Sequence, residues 1–152
     1  MTPISSPRLA ARALILHDNH LLLVNAWPED KSDLMCAPGG GVERGSALPD
    51  NLIREVYEET GLDITVGAPC LVNEFHDPNG SFHQVDIYFR CTLVSAATLD
   101  ENWEDVDEII TQRRWVTRAQ MAQLRVKPDS LVAVAWGDTN GITYDPLEPI
   151  IV

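Results

Sequence analysis

The sequence predicts a mixed α/β or α+β domain, a mixed sheet carrying helices on both sides. Three observations predict it. Apolar runs bounded by turn residues recur over 10–25 and 62–94, the pattern of strands joined by tight connections. One well-marked helix lies between them over 46–61, and shorter helical stretches follow within 117–136. The chain has 152 residues, 45% of them apolar, enough to enclose a sizeable core. No linker, repeat or shift in composition divides it. Residues 1–152 are therefore expected to form one domain, with 138–152, which holds Pro146 and Pro149, as an irregular tail.

In chain order, Ala10–Leu16 and Leu21–Asn25 read as a hairpin turning at His17-Asp18-Asn19-His20, where both histidines are turn residues. A polar loop over 27–33 and the stretch Leu34–Pro38 lead into Gly39-Gly40-Gly41. In the helix that follows, Ser46 is the expected cap, Pro49 falls in the first turn, and Gly61 suits the left-handed residue that closes it. Leu52, Ile53, Val56 and Thr60 form one stripe; beside it Glu55 and Glu59 lie one turn apart, flanked by Glu58.

Leu62–Val66, Cys70–Phe75 and Phe82–Val94 read as strands, the last two joined through the turn Asp77-Pro78-Asn79-Gly80. Alternation puts His83, Val85, Ile87, Phe89 and Cys91 on an expected core face. Gln84, Asp86, Tyr88 and Arg90 take the other face, which serves equally as an outer surface or as the wall of a cleft. Six acids and no base occupy 100–108, around Trp103, whose default roles are core packing or simple exposure. Arg114–Val116 is a short strand. A capping box at Thr117–Gln120 opens a helix to Leu124, and a second helix is expected over Asp129–Trp136.

The formal net charge is −12, which opposes non-specific binding to nucleic-acid phosphates. A small phosphate-bearing ligand would then need a cation to bind. The three cysteines, Cys36, Cys70 and Cys91, lack metal-ligand spacing and suit free thiols in a reducing compartment. With no signal-like segment and no stretch long enough to span a bilayer, the reading is a cytoplasmic protein without a membrane partner.

Three glutamates on one helix repel each other and by themselves describe a solvated acidic face. A hard cation reverses the sign, since magnesium takes one or two carboxylates together with substrate phosphates. Glycines at 39–41 let backbone groups approach the same spot.

The spacing resembles the Nudix box: Gly40, five residues, a sixth position, seven residues, then Arg54-Glu55-Val56-Tyr57-Glu58-Glu59-Thr60-Gly61-Leu62. Every specified position matches except Ser46, where the family has glutamate. The resemblance implies an α/β/α sandwich and a pyrophosphohydrolase that cleaves the diphosphate of a nucleoside diphosphate linked to another moiety. It implies Mg2+ or Mn2+ held by Glu55 and Glu59, with Glu58 and the Gly39 carbonyl. Arg54 would orient the glutamates. The general base would be Glu58 or a glutamate brought from 104–108 ahead of Trp115, with Glu104 or Glu108 favoured. The loss of glutamate at Ser46 suggests that Asp50, one turn before Arg54, supports that arginine. A different class stays open, a catalytically weak domain that binds a nucleotide in a regulatory role. Many relatives dimerise, so a homodimer is admitted, though no interface is marked.

Overall fold

The computed structural model describes residues 6–152; the absence of a signal segment, where it concerns residues 1–5, lies outside them. The elements in order are β1 (Arg8–His17), β2 (His20–Asn25), β3 (Met35–Cys36), β4 (Gly39–Gly41), α1 (Leu48–Thr60), β5 (Ile64–His76), β6 (His83–Leu93), β7 (Arg113–Thr117), α2 (Arg118–Met121), α3 (Leu131–Ala135) and β8 (Thr143–Pro149). They build an eight-stranded mixed sheet in the order β3-β2-β1-β6-β5-β8, with β4 also on β1 and β7 also on β2.

The expected hairpin forms at the β1–β2 turn, where Asp18 and Asn19 take φ of 47° and 61°. Its register covers Leu16↔Leu21 and His17↔His20, and the two strands then separate. β1 runs parallel to β6 and antiparallel to β4. β2 pairs with β3 and β7.

Period-two alternation in β1 gives the sheet two apolar faces. Ala11, Ala13 and Ile15 pack with Leu52 and Val56 of α1. On the other face Leu14 joins Leu131 and Val134 of α3. Helices thus cover both faces, as the α/β/α expectation requires. Leu52 and Val56 are fully buried, each worth about 1.5–3 kcal/mol of transfer free energy.

Several expectations are corrected. The N-cap of α1 is Ala47, without a side-chain cap, and the Ser46 hydroxyl instead donates to the Ala47 carbonyl at 3.5 Å. Ile53 is 37% exposed, so the buried stripe is narrower than periodicity suggests. Asn51 is buried in its place: its amide donates to the Gly41 carbonyl at 3.1 Å and accepts from the Glu43 N–H at 3.2 Å, stapling the glycine loop to the helix. The runs split at Gly67-Ala68-Pro69 are one strand, β5, which absorbs those residues as register irregularities against β6. α2 and α3 are shorter than expected.

The segment 138–152 is not wholly irregular. It supplies β8, parallel to β5. As the edge strand it tolerates Pro146 and Pro149, because an edge leaves one row of N–H groups unpaired in any case. Cys36, Cys70 and Cys91 are free thiols. Among the described residues no helix is long and apolar enough to cross a membrane.

Candidate active site

A cavity of about 740 Å3 opens beside β4 and the C-terminal half of α1. Helical spacing brings Glu55 and Glu59 to its wall, as expected for residues one turn apart. Glu59 is 8% exposed, and its Oε2 accepts the Gly39 N–H at 3.1 Å. Burial foremost pushes its carboxyl up to about 8; Glu55 and Asp105 add to that, while Arg12 and the Gly39 bond oppose it. Glu55 is also raised, first by burial, with Glu58 and Asp107 contributing against Arg54.

The glycines decide how near this pair lies to the backbone. Gly39 has φ 145°, and a Cβ there would lie 2.1 Å from the Ala11 carbonyl. At Gly40 a Cβ would stand 3.0 Å from the Glu55 carboxyl and fill the space beside it. Two carboxyl groups thus stand beside the glycine strand, whose Gly39 O receives a 3.4 Å bond from Arg12. That set suits a hard dication which completes its shell with substrate oxygens and water. Among the described residues, no three His, Cys, Asp or Glu side chains already stand at metal-ligand spacing.

Arg54 turns toward the glutamate cluster. Its Nη1 donates to both oxygens of Glu58, at 3.2 and 3.0 Å, an i,i+4 pair. Its Nη2 reaches Asn51 Oδ1 at 3.2 Å and the carboxylates of Glu55 and Glu43 at 3.4 Å. The acid that supports Arg54 from outside the helix is thus Glu43, in the loop, and not Asp50, because the guanidinium extends toward the loop and the next turn.

The C-terminal end of α1 is closed from elsewhere in the chain. Arg113 of β7 donates to the Glu59 carbonyl and, at 3.1 Å, to Ile110 O. Trp103 donates Nε1 to Glu58 O at 2.9 Å and meets Tyr57 edge-on at 5.2 Å. Trp103 is therefore a packing residue that satisfies a terminal carbonyl of the helix.

Of the acidic segment, Glu104 and Glu108 are exposed and do not line the cavity, contrary to the favoured assignment. Asp105 and Asp107 line it instead. Asp105 is buried because it caps its own loop, accepting the N–H groups of Ile109 at 3.1 Å and Ile110 at 2.9 Å. After that tight turn Asp107, itself exposed, lies on the cavity lining, and its glutamate neighbours do not.

Arg12 escaped the sequence reading. Half-buried in β1, it donates to Ala37 O at 3.2 Å, and its Nε lies 3.4 Å from Asp86. Burial works against its charge, but Asp86 foremost outweighs burial and holds the guanidinium protonated. A lone arginine inside the apolar run 10–16 is the signal that marks it. Asp86, Gln84 and Tyr88 line the cavity, so the polar face of β6 is a cleft wall and not an outer surface.

The family model described as NUDIX domain matches residues 6–137. An ADP-ribose pyrophosphatase of Methanocaldococcus jannaschii is 30% identical over 88 residues, 58% of this chain and 52% of that protein. The chain spans about half the length of the curated relatives it matches. Among solved structures, a NUDIX hydrolase from Nitrosomonas europaea superposes with a TM-score of 0.70 at 21% identity, covering 88% of each chain. A UDP-X diphosphatase gives 0.66 at 24% identity, over 97% of this chain and 70% of that one. These two likenesses speak for the fold, and the match over 6–137 speaks for descent: the chain belongs to the Nudix hydrolase family.

Proposed function

We propose that the protein is a metal-dependent pyrophosphohydrolase that cleaves the diphosphate of a nucleoside diphosphate linked to a second moiety. The observation that carries this reading is the buried Glu59 on the Gly39 N–H, beside Glu55, on the wall of a nucleotide-sized cavity. The pyrophosphatase names of the relatives agree with it. Mg2+ or Mn2+, held by Glu55, Glu59 and β4 carbonyls, would supply charge neutralisation and an acidified water.

The chain's own residues do the rest. Arg54 holds Glu58 in a forked pair beside the metal ligands, so Glu58 orients the cluster or serves as a further ligand after leaving the arginine. Arg8, whose guanidinium lies against Gly41 on the cavity wall, is placed to position phosphoryl oxygens. Asp107, on the same wall and close enough to act on Glu55 electrostatically, takes the general-base role in place of Glu104 or Glu108. Such a base typically contributes about 10²–10⁴-fold.

The test is a panel of nucleotide sugars, ADP-ribose, dinucleoside polyphosphates and nucleoside triphosphates, with and without magnesium, read by nucleoside monophosphate and phosphate release. Metal-dependent release of a nucleoside monophosphate supports the reading. Ligand-induced stabilisation with no product from any compound overturns it in favour of a nucleotide-binding regulatory domain.

A further inference from the structure

The cavity extends well beyond the glutamates. Gly41, Ala10, Asp86 and Asn73 are register partners across β4, β1, β6 and β5. Three strand spacings separate Gly41 from Asn73, about 14 Å. On this far wall Asn73 is 3% exposed, and its amide nitrogen is buried without a hydrogen-bond partner. Its neighbour Gln84, also 3% exposed, is satisfied by donating to Asp86 Oδ1 at 2.7 Å. A buried amide donor left unpaired is unfavourable and calls for a partner. Asn73 lines the cavity, which is where a ligand could supply that partner.

A flat apolar surface lies beside this polar edge. Phe75 shares a face of β5 with Asn73 and pairs in register with Gln84. Its ring is 5.9 Å from that of Phe82 at an angle of 39°, and both rings line the cavity. Phe82 is 38% exposed at the rim.

From the unpaired Asn73 amide beside this aromatic pair we infer that the far end of the cavity is a nucleobase pocket. A base edge presents an acceptor next to a donor. The acceptor takes the Asn73 amide N–H, the donor goes to Asp86 or to the Asn73 carbonyl, and the ring face lies on Phe82. A sugar would meet the polar edge but leave the aromatic face unused. The distance of about 14 Å between Asn73 and Gly41 of the glycine strand leaves room for ribose and diphosphate. This rests on the proposed hydrolase reading and adds the direction in which substrate lies: base inside, second moiety at the mouth. Selection then falls on the base, with tolerance for the second moiety.

Calorimetric titration of the protein in magnesium with UMP, AMP and GMP, set against ribose 5-phosphate, tests this without turnover, since none of them has a diphosphate to cleave. At least one monophosphate is expected to bind tenfold or more tightly than ribose 5-phosphate, and Asn73→Leu and Phe82→Ala should each lose about tenfold of that advantage. If Asn73→Leu fails to fold, Phe82→Ala at the exposed rim decides. Equal affinity of the wild type for ribose 5-phosphate and every monophosphate overturns the pocket, as does a preference that survives Phe82→Ala. Turnover without base preference sinks the base pocket alone; base preference without turnover sinks the hydrolase reading alone.

Discussion

Two acidic regions of this molecule invite comparison. Helix α1 carries Glu55, Glu58 and Glu59, and the segment 100–108 carries six acids. The richer region contributes less to the cavity. In the helix, a rise and rotation fixed per residue turn spacing into placement, so Glu55 and Glu59 arrive together. In the loop, placement follows from one buried turn. Asp105 spends its carboxylate on backbone N–H groups, Asp107 faces the cavity, and Glu104 and Glu108 face solvent. Acid density alone is a poor guide; what matters is whether the backbone that carries the acids is regular.

The comparison can be broken most directly at Glu59. Glu59→Gln keeps the size and can still accept the Gly39 N–H, but cannot ionise to bind a metal. Turnover should fall by about 10²-fold or more, with a smaller rise in melting temperature on adding magnesium than the wild type shows. The metal-free variant should be no less stable than the wild type, since an unfavourably buried carboxyl is gone. Product assays beside melts with and without metal decide this, and normal turnover with a normal metal-induced shift would return α1 to ordinary surface.

Next comes the loop. Asp107→Asn should lower kcat by roughly 10–10²-fold, while Glu104→Gln and Glu108→Gln stay within about twofold, if Asp107 is the base. Steady-state kinetics on the three variants reads this directly. A large loss confined to Glu104 or Glu108 would show that the loop rearranges around substrate.

The pH dependence of the metal-free protein sharpens the same contrast. Folded Glu59 keeps its proton up to about pH 8, while the unfolded carboxyl releases it near the ordinary value of 4.5. The folded state binds more protons between those values, so stability falls as pH rises from about 4.5 to 8 and levels off above. The total is on the order of 5 kcal/mol. Chemical denaturation at several pH values should show this decline in the wild type and a flatter profile in Glu59→Gln.

The smallest effect concerns the support of Arg54. Glu43→Ala removes an exposed partner and should cost about 0.3–0.5 kcal/mol in stability, with a few-fold loss in kcat. Asp50→Ala should change neither. The reverse pattern, with Asp50 mattering and Glu43 silent, would mean that Arg54 turns back along the helix in solution.

Much of the fold was legible because it rests on local rules. Asp18-Asn19 turned the hairpin, Gly61 closed α1 with φ 75°, and the Thr117–Gln120 capping box opened α2. Edges were less legible. β8 went unread because parallel pairing on β5 is a long-range event that leaves only a weak mark in a Pro-containing run. Arg12 was passed over as one polar residue in an apolar run, and Asn51 as one more polar helix residue beside Asp50, until β4 is laid beside them.

The sequence by itself determined helix α1, its glycine approach and the shared side of Glu55 and Glu59, since each follows from helical geometry and from what a missing Cβ permits. Tertiary structure alone decided the partner of Arg54, the cavity-facing member of the acidic segment, and the meeting of Asn73 with Asp86 across the sheet. Those outcomes depend on which strands lie side by side and on where a loop finds its hydrogen bonds, and neither is encoded in the spacing of neighbouring residues.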